Sequence, residues 1–295
     1  MPDRSAGTAV GHARLSMPGW LALREGADAS ARSPMLAERV RAYLAALARP
    51  GGPARPAGPS VVRDLGCGTG SMGRWLAGRL PGPQLWILHD RDPGLLAHAV
   101  AGMPRVAAAD AAVTAQTQQG DLTDLRAAEL AGTSLVTASA VLDLLTAEEV
   151  DGLATACVQA GCAALLTLSV IGRVELAPVD PLDAEFAAAF DTHQRRCTGG
   201  RRLLGPDAGP AAVDAFGRRG AAVASRPSPW RLGADQAELT EEWLRGWIGA
   251  ACEQQPDLEQ CAGAYLRRRL DACAAGELRV VVGHVDVLAL PPSAS

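Results

Sequence analysis

Lysine and asparagine are both absent from the 295 residues, and all 28 basic residues are arginine. Without lysine the chain cannot form a Schiff base with a carbonyl substrate, and it lacks the lysine of a phosphate-binding loop. Without asparagine it has no acceptor for N-linked glycosylation. The absence of lysine therefore excludes Schiff-base enzymes and enzymes that depend on a phosphate-loop lysine.

The sequence also lacks paired cysteines and long apolar runs. The seven cysteines include no Cys-x-x-Cys pair, so neither a disulfide framework nor a zinc site is indicated, and we predict no metal site. The strongest apolar run, about residues 162–171, is far shorter than the ~20 residues that span a bilayer. We therefore expect a cytoplasmic protein with reduced thiols and no membrane partner.

The net charge of −4 disfavours a polynucleotide ligand, because nucleic-acid binding normally requires a basic face. We expect no nucleic-acid partner and a small-molecule substrate instead. The oligomeric state stays open, with a homodimer among the options.

The first 60 residues divide into a helical segment and a linker. Residues 34–47 carry apolar side chains at helical spacing, with Ser33 as the N-cap and Pro34 at the first helical position. Residues 50–60 are rich in proline and glycine and cannot hold regular structure. We predict a helical cap segment over residues 1–50, a linker over 51–60 and a main domain over 61–295.

Short apolar runs alternate with helical stretches in the main domain. The predicted strands are residues 61–65, 84–88, 112–117, 134–138, 163–170, 221–225 and 278–290. This alternation predicts an α/β fold, a Rossmann-like doubly wound and mostly parallel seven-stranded sheet. Residues 172–202 are predicted to be rich in loops. Residues 236–275 predict a helical insertion before the last strand, which either packs on the sheet edge or covers a substrate pocket.

The first predicted strand ends in the run Asp64-Leu65-Gly66-Cys67-Gly68-Thr69-Gly70. Its glycines permit positive φ and the close approach of a ligand. Together with Gly73 they also satisfy G-x-G-x-x-G, so a nicotinamide or flavin enzyme stays open. Asp64 favours a different cofactor, because a carboxylate repels a pyrophosphate but attracts the ammonium and sulfonium of S-adenosylmethionine (SAM).

Two further acids follow the next two strands. Asp90 ends the second strand, beside Arg91, within reach of a ribose bound over the glycine loop, and a carboxylate accepts from both ribose hydroxyls. Asp121 follows the third strand and is placed to accept from an adenine amino group, while Leu122 packs on the ring. Acids at three consecutive strand ends predict a cofactor that contains adenosine.

With these motifs the sequence resembles the class I SAM-dependent methyltransferases. The resemblance covers about residues 61–170 and includes DLGCGTG at 64–70, HDRDP at 89–93, GDL at 120–122 and LVTASAVLDLL at 135–145. It implies a seven-stranded sheet whose last strand is antiparallel. The cofactor-binding residues that we predict are Asp64, Gly66, Cys67, Gly68, Gly70, Asp90, Arg91, Asp121, Leu122 and Ser139, with Ser139 between SAM and the acceptor.

Methyl transfer from a sulfonium is an in-line displacement, so alignment is the main contribution and a base is optional. His193, after the fifth strand, is the catalytic candidate for deprotonating a phenol or alcohol, with a structural histidine as the alternative. Trp20, Arg24 and Arg32 precede the main domain, in a segment that related enzymes often fold over SAM. Together with Trp243 of the insertion they are the candidate acceptor-binding residues, with surface salt bridges and core packing as the alternatives.

The predicted function is methyl transfer from SAM to a small molecule, with O-methylation of a hydroxyl or carboxylate favoured. The fourth strand lacks the Asn/Asp-Pro-Pro-Tyr signature of methylases that act on base amino groups, which further disfavours a nucleic-acid acceptor. An NAD(P)-dependent oxidoreductase and a non-catalytic SAM-binding protein remain the alternatives.

Overall fold

The computed structural model describes residues 15–48 and 58–292, so most of the predicted linker lies outside the described residues. The helices are α1 (Met17–Ala31), α2 (Pro34–Leu47), α3 (Ser71–Leu76), α4 (Pro93–Gly102), α5 (Ala147–Ala160), α6 (Asp183–Gln194), α7 (Ala208–Gly217), α8 (Ala237–Gln254) and α9 (Glu259–Ala274). The strands are β1 (Ser60–Leu65), β2 (Gln84–Asp90), β3 (Val113–Gln119), β4 (Leu135–Ser139), β5 (Ala163–Ala177), β6 (Cys197–Thr198), β7 (Arg201–Arg202), β8 (Ala222–Pro227), β9 (Trp230–Leu232) and β10 (Arg279–Leu290).

The main sheet has the strand order β3-β2-β1-β4-β5-β10-β8, and β9 also pairs with β10. The pairs from β3 to β5 are parallel, whereas β10 runs antiparallel to β5, β8 and β9. The predicted Rossmann-like, mostly parallel α/β fold with an antiparallel last strand is confirmed. The short strand β9 makes eight strands instead of the predicted seven.

Alternate residues of the central strands face two different cores. Leu135, Leu165 and Leu288 pack with α2, α3 and α4 on one face of the sheet. Val136 and Leu166, each next to a residue of the first set, pack with α5 and α7 on the other face. This alternation follows from the two-residue period of a strand, and burial on both faces explains why these strands read as continuous apolar runs.

A third core, here called the helical core, contains residues of α6, α8, α9 and β9 together with the outer parts of β5 and β10. The prediction of a loop-rich segment over residues 172–202 is wrong for most of that range. β5 continues to Ala177 because Val174 and Leu176 pair with β10, and α6 follows it. The two insertion helices, α8 and α9, pack in this core.

The N-terminal helices are tied to the sheet by Asp286 of β10, a side chain that is 1% exposed. Its Oδ2 accepts from the backbone N–H of Ser33, between α1 and α2, at 2.7 Å. Its Oδ1 accepts from the backbone N–H of Leu168 in β5 at 2.8 Å. Leu168 has a positive φ of 56°, which turns its amide out of the regular strand pattern. Burial raises the pKa of Asp286, and its hydrogen bonds partly oppose that shift.

Replacing Asp286 with alanine is expected to lower the free energy of unfolding by about 2–4 kcal/mol, because two buried amides lose their acceptor. Urea denaturation measures the loss. Asp214→Ala, at an exposed position on α7, is the control and should change stability by less than about 0.5 kcal/mol. Equal stability of the two variants would show that Asp286 does not hold the N-terminal helices to the sheet.

Candidate functional site

The glycine loop between β1 and α3 forms the floor of a cavity of about 160 Å³ at the carboxyl ends of β1 and β4. Gly66 and Gly68 have φ of +60° and +54°, a region that other residues rarely adopt. An added Cβ at Gly66 would lie 3.0 Å from Val141, and one at Gly68 would lie 3.1 Å from Leu21 of α1. Both positions therefore require glycine, and α1 covers the loop.

The other two glycines of the pattern serve helix packing. An added Cβ at Gly70 would lie 3.1 Å from the Cα of Ala99 in α4, and one at Gly73 would collide with the sulfur of Met103. The G-x-G-x-x-G spacing is therefore explained partly by contacts within the protein. It does not by itself identify a dinucleotide cofactor.

Asp64 is one of two acidic residues that line the cavity, the other being Asp28, and it is only 1% exposed. Its Oδ1 accepts from the hydroxyl of Thr137 at 2.7 Å, whereas its Oδ2 has no hydrogen-bond partner among the described residues. Burial raises the pKa of Asp64 to about 7, an effect that Thr137 and Arg32 partly oppose. A buried carboxylate oxygen without a donor is unfavourable, so a cationic ligand would stabilise it.

Asp90 lies at the carboxyl end of β2, as the sequence predicts, and connects that strand to the glycine loop. Its Oδ2 accepts from the N–H of Gly68 at 2.9 Å, and its Oδ1 accepts from the N–H of Asp92 at 3.0 Å. Each oxygen keeps a second lone pair for a ligand hydroxyl. Arg91, the next residue, is exposed.

Asp121 and Leu122 follow β3. Asp121 is exposed and accepts from both the N–H and the hydroxyl of Thr123, at 2.9 and 2.8 Å, and these bonds lower its pKa. Leu122 is half-buried and lies beside Gly66, where an added Cβ would be 3.7 Å from its Cδ2. The structure thus brings Leu122 to the glycine loop and leaves Asp121 exposed, outside the cavity lining.

Arg32 lies behind the cavity wall and is 2% exposed. Its Nη2 donates to the hydroxyl oxygens of Ser71 and Ser139, both at 3.0 Å, and both serines line the cavity. Ser139 also accepts from the hydroxyl of Thr167 at 3.0 Å. Burial lowers the pKa of Arg32. Its charge therefore acts from inside the wall, because Ser71 and Ser139 stand between it and the cavity.

Of the five residues predicted on the acceptor side, the structure brings Arg24 to the cavity lining and leaves out Trp20, Arg32, His193 and Trp243. Trp243 stacks on Trp247 with ring centroids 5.2 Å apart, at the edge of the helical core. His193 lies at the end of α6, with Nε2 3.9 Å from a carboxylate oxygen of Glu253 in α8, and burial lowers its pKa. Neither residue lines the cavity, because His193 faces Glu253 of α8 and Trp243 packs on the helical core. Trp20 is half-buried and packs against the helical core.

Asp143 is a further candidate, an acid inside the apolar run that follows β4. It is half-buried in a short 3-10 turn after β4, two residues beyond Val141 of the cavity wall. Burial raises the pKa of Asp143 to about 6, and the charges of Arg24 and Arg196 partly oppose that shift. In the sequence, the only sign of Asp143 as a site residue is that it is an acid inside an otherwise apolar run. The run by itself does not show which way the side chain points.

Among residues 15–48 and 58–292 no group of three or more His, Cys, Asp or Glu side chains is arranged to hold a metal ion. No helix in the same part of the chain is long and apolar enough to cross a membrane.

No protein-family model matches the sequence, and no curated protein matches it. The chain is similar to solved structures at low identity. A SAM-dependent methyltransferase from Geobacter sulfurreducens in complex with S-adenosylhomocysteine is 18% identical, with 91% of this chain and 96% of that chain covered and a TM-score of 0.40. A cyclopropane synthase from Mycobacterium tuberculosis is 12% identical, with 85% of this chain and 83% of that chain covered and a TM-score of 0.41. A magnesium protoporphyrin IX methyltransferase from Synechocystis, with S-adenosylhomocysteine bound, is 18% identical. The match covers 65% of this chain and 76% of that chain, with a TM-score of 0.37.

Replacing Asp64 with asparagine is expected to stabilise the ligand-free protein at pH 8 by roughly 1–3 kcal/mol, because it removes a buried charge. Since the folded pKa of Asp64 is raised from 3.8 to about 7, its contribution to stability falls as the pH rises through that range. The stability gap between variant and wild type should therefore narrow toward pH 5, where Asp64 is protonated. Melting temperatures from pH 5 to 8 measure it, and a gap that is independent of pH would contradict the assignment.

Proposed function

We propose that this chain is a SAM-dependent methyltransferase that acts on a small molecule. The observation that carries the proposal is Asp64 Oδ2, a buried carboxylate oxygen without a partner among the described residues, next to a loop whose Gly66 and Gly68 leave room for a ligand. The ammonium of the methionine moiety of SAM supplies the missing donor. A pyrophosphate would place like charges beside Asp64, which disfavours a dinucleotide.

The residues beyond the cavity suit the adenosine of the same cofactor. Asp90 has lone pairs for the ribose hydroxyls, and Leu122 offers an apolar surface for adenine beside Gly66. The cavity of about 160 Å³ is smaller than the roughly 300–1,000 Å³ of whole-ligand pockets. It therefore fits the methionine end, with the adenosine lying outward along Asp90 and Leu122.

SAM, when bound, supplies an electrophilic methyl group on a sulfonium. The chain contributes alignment by holding the methionine end at Asp64 and the ribose at Asp90, which together restrict the cofactor to one orientation. Val141 and Ser139, at the end of β4, form the wall on which the acceptor would approach. Their position leaves the acceptor between β4 and α1.

For a hydroxyl acceptor, Asp143 replaces His193 as the candidate base. It follows Val141 of the cavity wall by two residues, and with a pKa raised to about 6 by burial it is ionised at neutral pH and still basic enough to accept a proton. His193 contacts Glu253 instead. This arrangement favours O-methylation of a small phenol or alcohol.

Calorimetric titration of the purified protein with SAM, S-adenosylhomocysteine and NADH tests the proposed cofactor. Binding of the first two ligands and not of NADH is the expected result. NADH binding alone would replace the methyltransferase proposal with an NAD(P)-dependent oxidoreductase. Methyl transfer to any acceptor would exclude a non-catalytic SAM-binding protein.

Replacing Asp90 with alanine is expected to weaken S-adenosylhomocysteine binding by about 1–3 kcal/mol, because a charged acceptor for the ribose hydroxyls is lost. Calorimetry measures the change, and an unchanged melting temperature would show that the loop still folds. The control is Asp124→Ala, at an exposed position near the same edge of the sheet. An Asp90→Ala protein that binds like wild type would count against the ribose assignment.

Replacing Asp143 with asparagine is expected to lower methyl transfer to phenolic acceptors by roughly 10²-fold or more, because the base is lost. The affinity for S-adenosylhomocysteine should not change. In the wild type, kcat should rise with pH through about 6, where Asp143 loses its proton, and then level off. A radioactive methyl-transfer assay with a panel of phenols, run for both proteins, checks this, and equal turnover would remove Asp143 from the mechanism.

A further inference from the structure

Arg24 of α1 presents one free edge to the cavity. Its Nε lies 3.1 Å from Oδ2 of Asp28, and its Nη2 lies 3.1 Å from Oδ1, so two of its nitrogens hold one carboxylate. The third, Nη1, has no hydrogen-bond partner in the described part of the chain. Both Arg24 and Asp28 line the cavity, and the Arg24 side chain is 15% exposed.

Two aromatic rings hold the guanidinium in place. Its Cζ lies 4.9 Å from the ring centroid of Trp230 and 5.9 Å from that of Trp20. Trp230 Nε1 also donates to Asp28 at 3.0 Å, so one tryptophan fixes both the arginine and its partner. A charged group that is fixed before the ligand arrives loses little conformational entropy on binding.

The cavity has a positively charged group on one side and a negatively charged group on the other. Asp28 lies 3.1 Å from Arg24 and 3.9 Å from Arg32, so two arginines share one buried carboxylate and the group carries a net positive charge. Asp64 supplies the negative charge at the glycine loop. Burial lowers the pKa of the neighbouring His284 to about 4, so this histidine is neutral and adds no cation. A cavity with one group of each sign fits a zwitterion.

We infer that Arg24 binds the carboxylate of the methionine moiety of SAM, while Asp64 accepts from its ammonium. This inference rests on the proposed function and adds to it the ligand group that α1 recognises. A guanidinium with a free edge matches a carboxylate by geometry as well as by charge. Since Trp230 belongs to β9, which the helical core holds, that core is connected to cofactor binding through Asp28.

The test compares S-adenosylhomocysteine with its decarboxylated analogue, 5′-S-(3-aminopropyl)-5′-thioadenosine, which differs from it by the carboxylate. Titration of the wild type should give tighter binding of S-adenosylhomocysteine. In Arg24→Met we expect S-adenosylhomocysteine to bind roughly 10- to 100-fold more weakly and the analogue to bind as in wild type, because the lost contact involves only the carboxylate. Trp230→Phe, which keeps a ring and loses the N–H to Asp28, should give a smaller loss of the same kind.

Arg41→Met is the matched control, because Arg41 is an exposed arginine on α2 paired with exposed Glu38. It should leave both affinities unchanged. Equal weakening of both ligands in Arg24→Met would show that Arg24 only shapes the cavity. Unchanged affinity for S-adenosylhomocysteine would show that Arg24 does not contact the cofactor carboxylate, and either result overturns the inference alone. A wild-type protein that binds neither ligand would overturn the proposed function together with it.

Discussion

The buried carboxylate of Asp286 is the point on which the arrangement of the site depends. It accepts from the amide of Ser33, where α1 meets α2, and from the amide of Leu168 in β5. The residues directly before these two are Arg32 and Thr167, whose side chains both bond to Ser139 at the end of β4. One acid in the last strand therefore sets the position of the N-terminal helices and of the β4 terminus.

The cavity concentrates buried polar groups that do not stabilise the ligand-free protein. Asp64 keeps one oxygen without a donor, and Arg32 keeps Nε and Nη1 without acceptors, among the described residues. Each such group opposes folding unless it is paired. Of these two residues only Asp64 lines the cavity, where a cationic ligand would supply the missing donor, and this is the physical basis of the proposed cofactor site.

Of the two roles that the sequence left open for the insertion, packing or covering a substrate pocket, the structure shows packing. Trp243 packs with Trp247 instead of reaching the cavity, and α8 and α9 bury their apolar faces against α6 and β9. Trp20 and Leu23 of α1 pack on the same core. The insertion thus supports α1 from behind, and α1 in turn covers the glycine loop with Leu21. Its connection to the proposed cofactor site is indirect.

The sequence by itself determined the α/β class, the five parallel strands and the acids at three strand ends, because these depend on local periodicity and on glycines beside a strand. The domain boundaries and the roles of the cofactor residues remain predictions from that local pattern. Only the tertiary structure decided the length of β5, the existence of β9 and α6, and which arginine faces the cavity. Val174 and Leu176 extend β5 because β10 pairs with them across a hundred residues of chain. Arg24 and Arg32 look alike in the sequence, but their distant partners differ. Trp230 holds Asp28, the partner of Arg24, and leaves one edge of the Arg24 guanidinium free, whereas Ser71 and Ser139 cover Arg32. Contacts between residues so far apart in the chain leave no periodic signal in the sequence.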